Sequence, residues 1–338
     1  MIKFNSLIKK IIRILSIVAA VYAVAIVLFM YLVINPIFLP VKAIKVNIPV
    51  NIQRLYTDVN KLTSVQPSRS IENIESLDAI SAYIESQFKE LDCRVQIQPF
   101  EVGAKRYTAG KRYTNVIASF GPQEGERLIV GAHYDVYSEQ PGADDNASGV
   151  AGLLELGRML HQLKPQLRHR IDLVAYSLEE AYFNNPWMGS AVHAQSLVDE
   201  GVKVKCMICL EMIGYFSEAP GSQGFPVSIL KALYPTKGNF IAVVGKLWDR
   251  SLVKNIKIFM LQVADIDACS INTPAVLWGA NLSDHSNYWK NGFNAVMITD
   301  TAFLRNHNYH MVTDTIDTLN FRKMAEVVKG VYWTIVKL

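Results

Sequence analysis

The chain has 338 residues, half of them hydrophobic, 19% charged and 10% aromatic, which excludes a disordered chain, a collagen-like repeat and a disulfide-stapled miniprotein. Its length admits one large domain or two small ones. The formal net charge of +4 belongs to the amino-terminal segment: seven basic residues and no acidic one precede Asp58, leaving 27 basic against 30 acidic residues beyond, so the body lacks the electrostatic signature of a nucleic-acid binder.

Residues 1–13 are short and basic. Ile14 to Ile34 is an uncharged, mostly aliphatic run of 21 residues directly after Lys9, Lys10 and Arg13. About 20 such residues span a bilayer core as a helix, and the flanking charges predict a cytoplasmic amino terminus with the remainder across the membrane, periplasmic or extracellular in a bacterium. A cleavable signal peptide has a shorter apolar region ending in small residues. This one ends in Tyr31-Leu32-Val33-Ile34, which favours an uncleaved anchor. Residues 35–68, broken by Pro36, Pro40, Pro49 and Pro67, read as a stalk, and residues 69–338 as the catalytic domain.

Within that domain, apolar residues recur at helical spacing from Ile71 to Leu91, and Arg94 to Phe100 alternates like a strand. Asn115 to Phe120 and the nearly continuous Arg127 to Ala132 read as further strands, followed by a helix over Ser148 to Leu163. A strand over Ile171 to Tyr176, a helix near Gly189 to Glu200, strands at Lys203 to Leu210 and Ala295 to Thr299, and a last helix over about Phe321 to Val336 complete the series. Pro220 to Asp284 reads as an insertion shaping a site. Helices alternating with short apolar strands predict an α/β fold, a three-layer sandwich around a mixed, mostly parallel sheet. Four cysteines are too few for a disulfide framework. Cys206 and Cys209 lie three apart in an apolar strand, so they point to opposite faces and neither pair nor share a metal.

The residues just past each buried strand carry the chemistry. His133 and Asp135 come after the third, Glu179 and Glu180 after the fourth, Glu211 after the fifth, and a loop holding His310 after the last. Asp145 stands in a glycine-flanked loop, Gly142 to Gly149, ahead of a helix. Taken singly, each is an ordinary surface or capping residue. Delivered together to the carboxyl ends of strands, where open α/β sheets bind ligands, they form the donor set of a metal site.

The motifs AHYD, PGADDNASG, LEE, LEMIGY, SDH and NYHMVTDT, in that order, resemble the co-catalytic zinc aminopeptidases of metallopeptidase clan MH, a superfamily that includes aminopeptidase Y, glutamate carboxypeptidases and glutaminyl cyclases. The resemblance covers roughly Ile71 to Val336. It implies two zinc ions per chain, one held by His133, Asp145 and Glu211, the other by Glu180, His310 and the shared Asp145. It implies Glu179 as general base, Asp135 as the residue orienting His133, and a cis peptide after Asp145. Asp284 and His285, in the SDH motif, are expected beneath the site and Asp314 behind His310. His161, His169, His193 and His307 have no matching place. The tyrosine that some relatives carry shortly before SDH is missing, which leaves the oxyanion helper unassigned. The implied activity is that of a membrane-anchored exopeptidase, most simply an aminopeptidase acting on peptides. A one-zinc acyl transferase of the glutaminyl cyclase kind and a non-catalytic receptor-like ectodomain are the alternatives, and the complete ligand set disfavours both. Pocket walls are expected from Tyr182 to Trp187, from Tyr215 and Phe216, and around Trp278.

Overall fold

The computed structural model describes all residues except 1, 36, 38–39, 104–109, 183–184 and 275–278. Helix α1 (Ile2–Ile34) contains a span, Lys9–Tyr31, that is long and apolar enough to cross a membrane and whose apolar window holds no buried residue. Helices α2 (Ile52–Thr63) and α3 (Ile74–Lys89) precede strands β1 (Arg94–Glu101), β2 (Arg112–Phe120) and β3 (Arg127–His133). Helix α4 (Gly149–Leu163) leads to β4 (Arg170–Tyr176), α5 (Gly189–Asp199) to β5 (Val204–Glu211). Then come β6 (Ile241–Lys246), α6 (Arg250–Val263), β7 (Ala268–Thr273), α7 (His285–Lys290), β8 (Ala295–Thr299) and α8 (Phe321–Lys337).

The eight strands form one sheet in the order β1-β2-β4-β3-β5-β8-β6-β7. Its centre, β4-β3-β5-β8, is parallel; β1, β2 and the β6–β8 pairing are antiparallel. The central strands are apolar on both faces because helices cover both. Leu128, Val130 and Ala132 of β3 and Cys206, Ile208 and Leu210 of β5 enter the larger core, with α2, α3, α4, α6 and α8. Ile129, Met207 and Cys209 enter the smaller one, with α5 and α7. The two cysteines of β5 thus point to opposite faces, as the spacing predicts, and all four cysteines are free.

Two expectations change. The segment read as a stalk is built into the domain: Leu55, Val59 and Leu62 of α2 are fully buried, and the helix packs on α4 and α8. Its apolar residues lie at i, i+4 and i+7, a stripe too short to stand out between prolines. Pro220 to Asp284 is also more than an insertion. It supplies β6, α6 and β7, which extend the sheet beyond β8.

Candidate metal centre

The candidate side chains gather where the parallel strands run out. His133 and Glu211 are the last residues of β3 and β5, and Glu179 and Glu180 stand just past β4. Asp145 lies in a π-helical turn (Ala143–Ser148) ahead of α4, and His310 in the loop after β8. The backbone is left-handed at Leu178 (φ 63°), Met212 (φ 49°) and His310 (φ 59°). Such conformations in residues other than glycine cost about 1–3 kcal/mol each and persist where the surroundings impose them, commonly at functional sites.

Nε2 of His133 lies 3.4 Å from Asp145 Oδ1 and 3.5 Å from Glu211 Oε2. Nε2 of His310 lies 3.3 Å from Asp145 Oδ2 and 3.2 Å from Glu180 Oε2. One oxygen of Asp145 therefore faces each histidine. Ligands about 2.0–2.1 Å from a tetrahedral ion stand about 3.3 Å apart, so the histidine–carboxylate edges of both triads match those of a zinc polyhedron. Asp145 Oδ2, Glu180 Oε1 and His310 Nε2 are buried and have no hydrogen-bond partner. Among the described residues, the groups that could hold a metal are drawn from these five and Glu179.

Left to themselves, the groups perturb one another. Burial opposes a charge on His133, but Glu211, Asp135 and Asp145 outweigh it and raise its pKa well above 6.5. Burial likewise opposes a charge on His310, and Asp145 and Glu180 override it, holding it at about 10. Burial, then the charge of Asp145, pushes Glu180 up to about 8. Burial raises Glu179 well above its ordinary value, with Glu180 and Glu211 adding and His133 opposing. A divalent cation would relieve this crowding of buried carboxylates.

The surroundings fix these side chains. The carboxylate of Asp135 accepts the backbone N–H of Glu179 at 3.0 Å and of Glu180 at 3.1 Å, and lies 3.4 Å from Nδ1 of His133. Asn146 donates to Leu210 O and accepts from the N–H groups of Met212 and Gly149, joining the Asp145 turn to the end of β5. The Asp145–Asn146 peptide is cis. Ser283 donates to Glu211 Oε2 at 2.5 Å. Asp284 and His285 are buried; burial lifts the first to about 7 and lowers the second to about 4. Asp314 does not support His310. The chain reverses at that left-handed residue and brings the Asp314 carboxylate onto the N–H groups of Asp144 and Asp145.

Four further residues contribute. The buried guanidinium of Arg69 donates to Tyr134 O, Leu62 O, Pro141 O and Gly142 O, tying the turn before Asp145 to β3 and α2. Gly142, at φ 58°, leaves no room for a Cβ between Val136 and Asp145 O. The ring of His310 is stacked between Tyr137 (centroids 4.5 Å apart, planes 6°) and Tyr309 (3.8 Å, 18°). Burial and the charges of Asp145, Glu180 and Glu211 push the Tyr309 phenol up, so it stays a proton donor. Its one sequence signal was adjacency to His310.

A cavity of about 150 Å³ opens beside Glu211 and Tyr309. Its walls include Phe225, Leu230, Val244, Ile271 and Met297, drawn largely from the segment that forms β6 and β7. The described residues of Tyr182 to Trp187 and of Tyr215 and Phe216 do not line it; of the stretch around Trp278, Gly279, Ala280 and Leu282 do, while residues 183–184 and Trp278 itself fall outside the described residues. His193 is buried under the other face of the sheet, its Nδ1 2.6 Å from the Tyr288 hydroxyl.

An α/β sheet whose carboxyl edge holds two histidine–carboxylate triads sharing one aspartate defines a protein of the co-catalytic metallopeptidase class. The chain belongs to peptidase family M28, whose description matches residues 115–334. It is 46% identical over 288 residues to protein YfbL of Escherichia coli (strain K12), covering 82% of this chain and 86% of that one. It is 26% identical over 236 residues to a probable leucine aminopeptidase 1 of Trichophyton verrucosum (strain HKI 0517), covering 66% of this chain and 57% of the fungal protein. Among solved structures, a zinc aminopeptidase from Bacillus subtilis matches with TM-score 0.68 at 13% identity, covering 86% of this chain and 96% of that one. A glutaminyl cyclase from Porphyromonas gingivalis matches with TM-score 0.63 at 20% identity, covering 85% and 98%. Family and relatives support a peptidase.

Proposed function

We propose that this protein is a membrane-anchored zinc aminopeptidase that removes apolar residues from the amino termini of peptides outside the cytoplasm. The observation that carries the reading is Asp145, whose two oxygens each complete a separate histidine–carboxylate triad with zinc-like spacing. His133, Asp145 and Glu211 would hold one zinc, and Asp145, Glu180 and His310 the other. Two such ions supply Lewis-acid charge, which lowers the pKa of water and polarises a carbonyl.

Glu179 is the general base. It takes a proton from the attacking water and returns it to the leaving amine. Asp135 positions it by holding the N–H groups of Glu179 and Glu180. Tyr309, stacked on His310 and lining the cavity with Glu211, donates a hydrogen bond from its phenol to the carbonyl oxygen as charge builds there, which fills the role left open by the sequence. The apolar cavity beside Glu211 and Tyr309 takes the side chain of the first residue.

The test combines zinc analysis with hydrolysis of leucine and lysine anilides, before and after chelation, and with Glu179→Gln. Two zincs per chain, loss on chelation, an inactive Glu179→Gln that keeps zinc, and preference for leucine are expected. One zinc in fully active protein would favour a cyclase-like transferase. Unchanged turnover in chelated protein and in the variant would remove the enzyme reading.

A further inference from the structure

The end of α1 is clamped onto the catalytic domain. The Arg250 guanidinium donates to Tyr31 O at 2.7 Å and lies 4.4 Å from the centre of the Tyr31 ring. Lys257 Nζ donates to Ile34 O and Asn35 O, and Ser270 Oγ donates to Ile34 O. Asn35 bonds Asn272 through their side chains, and Val33 and Asn35 are buried. Two cations thus sit at the carboxyl end of a helix, where the last carbonyls lack helical partners. Further along, the N–H of Ile44 reaches Gln262 O near the end of α6. The membrane-spanning segment and the domain therefore share a fixed geometry.

That geometry has a direction. Strand β6 runs antiparallel to β8, with Ala242 opposite Thr299 and Gly245 opposite Val296. The end of β6 and the turn after it, Leu247–Asp249, hence lie at the edge where the parallel strands begin, and Lys246 Nζ reaches Phe293 O just ahead of β8. Arg250, at the start of α6, holds the helix end at this same edge. His133, Glu211 and their partners occupy the opposite edge, the height of a seven-residue strand away, roughly 20 Å. Within this near rim Trp248 is 91% exposed, between Lys246, whose Nζ lies 3.9 Å from the Asp249 carboxylate, and Arg250, with Lys254 one turn along α6. An indole left in water beside the end of a bilayer-spanning helix, flanked by cations, has the composition of a membrane–water interface.

We propose that the rim formed by Lys246, Trp248, Arg250 and Lys254 rests on the anionic headgroups of the bilayer that α1 crosses, so that the metal centre opens away from the membrane toward dissolved peptides. The proposal rests on the anchor reading of α1. The full-length protein is reconstituted into phosphatidylcholine vesicles, with and without phosphatidylglycerol, in which the acyl chains are brominated near the headgroup. Tryptophan quenching is compared with that of Trp248→Phe, a change at a solvent-exposed site, and each sample is extracted with alkaline carbonate. The expected result is carbonate-resistant protein whose quenching rises with phosphatidylglycerol and falls by at least half in Trp248→Phe. Equal quenching in the two proteins, or none, in carbonate-resistant vesicles overturns the rim contact while the anchor stands. Quenching indifferent to phosphatidylglycerol overturns the headgroup recognition. Release by carbonate overturns the anchor and the rim together.

Discussion

Helix α2 offers a quantitative test of where the folded domain begins. A version starting at Val46 keeps α2, and one starting at Arg69 loses it. Leu55, Val59 and Leu62 are fully buried, and at about 1.5–3 kcal/mol each they contribute roughly 5–9 kcal/mol. Denatured chains already bury part of their apolar surface, so this is an upper range. The loss does not stop at the apolar face. Glu155, wholly buried, accepts from Arg54 Nε, Arg54 Nη2 and the N–H of Asn51. Without them its nearest cation is Arg158, 3.7 Å away, and a buried charge stripped of its partner costs about 3–5 kcal/mol. Arg69 also loses its bond to Leu62 O. Against a typical domain stability of about 5–15 kcal/mol, these losses are decisive. Circular dichroism melts and anilide hydrolysis should show a cooperative, active protein from Val46 and neither property from Arg69. Cooperative melting of the shorter version within about 5 °C of the longer one would refute the reasoning, since that corresponds to a kcal/mol or two at this size.

Further outcomes concern the site. Asp135→Asn turns one acceptor of the Glu179 and Glu180 N–H groups into a donor; kcat/KM should fall about 10- to 100-fold, measured alongside zinc content. Tyr309→Phe should lower kcat by about 10²-fold or more with zinc and KM little changed, as loss of a donor to developing charge does. Arg69→Met leaves four carbonyls of the Asp145 turn and its neighbours without their donor; a stability loss of about 3 kcal/mol or more should appear in denaturant melts, with weaker zinc retention. His193, buried and held down at about 4, stays neutral in the folded protein, whereas the unfolded chain protonates near 6.5. Its contribution is intact above 6.5 and is lost as pH falls from 6.5 toward 4, by up to roughly 3 kcal/mol. His193→Gln should flatten that window in denaturant midpoints taken at pH 7 and 4.5.

The candidate site was legible in the sequence because His133 and Glu211 end, and Glu179 and Glu180 closely follow, nearly continuous apolar runs, and such runs mark central parallel strands. Strand ends predict convergence without any knowledge of distances. The features that could not be read depend on chain reversal. Asp314 lies four residues past His310, a spacing that suggests a supporting carboxylate, yet a left-handed backbone sends it under Asp145. Arg69, the first residue of the expected domain, drew no notice because a cation that satisfies four carbonyls leaves no periodic trace. The prolines around α2 masked a short amphipathic helix, and β6 and β7 were obscured by the glycine- and proline-rich stretch before them. Tyr137, remote in sequence from His310, stacks on it only through the fold.

The thiols carry a last consequence. Cys206 and Cys209 are separated by the thickness of the sheet, and burial lifts the pKa of all four cysteines, Cys93 and Cys269 to about 11 and Cys206 to about 12. Kept protonated, they are poor nucleophiles toward oxidants and alkylating agents. Maturation of this protein therefore requires no oxidative foldase, and the finished molecule should withstand an oxidising environment without scrambled cross-links.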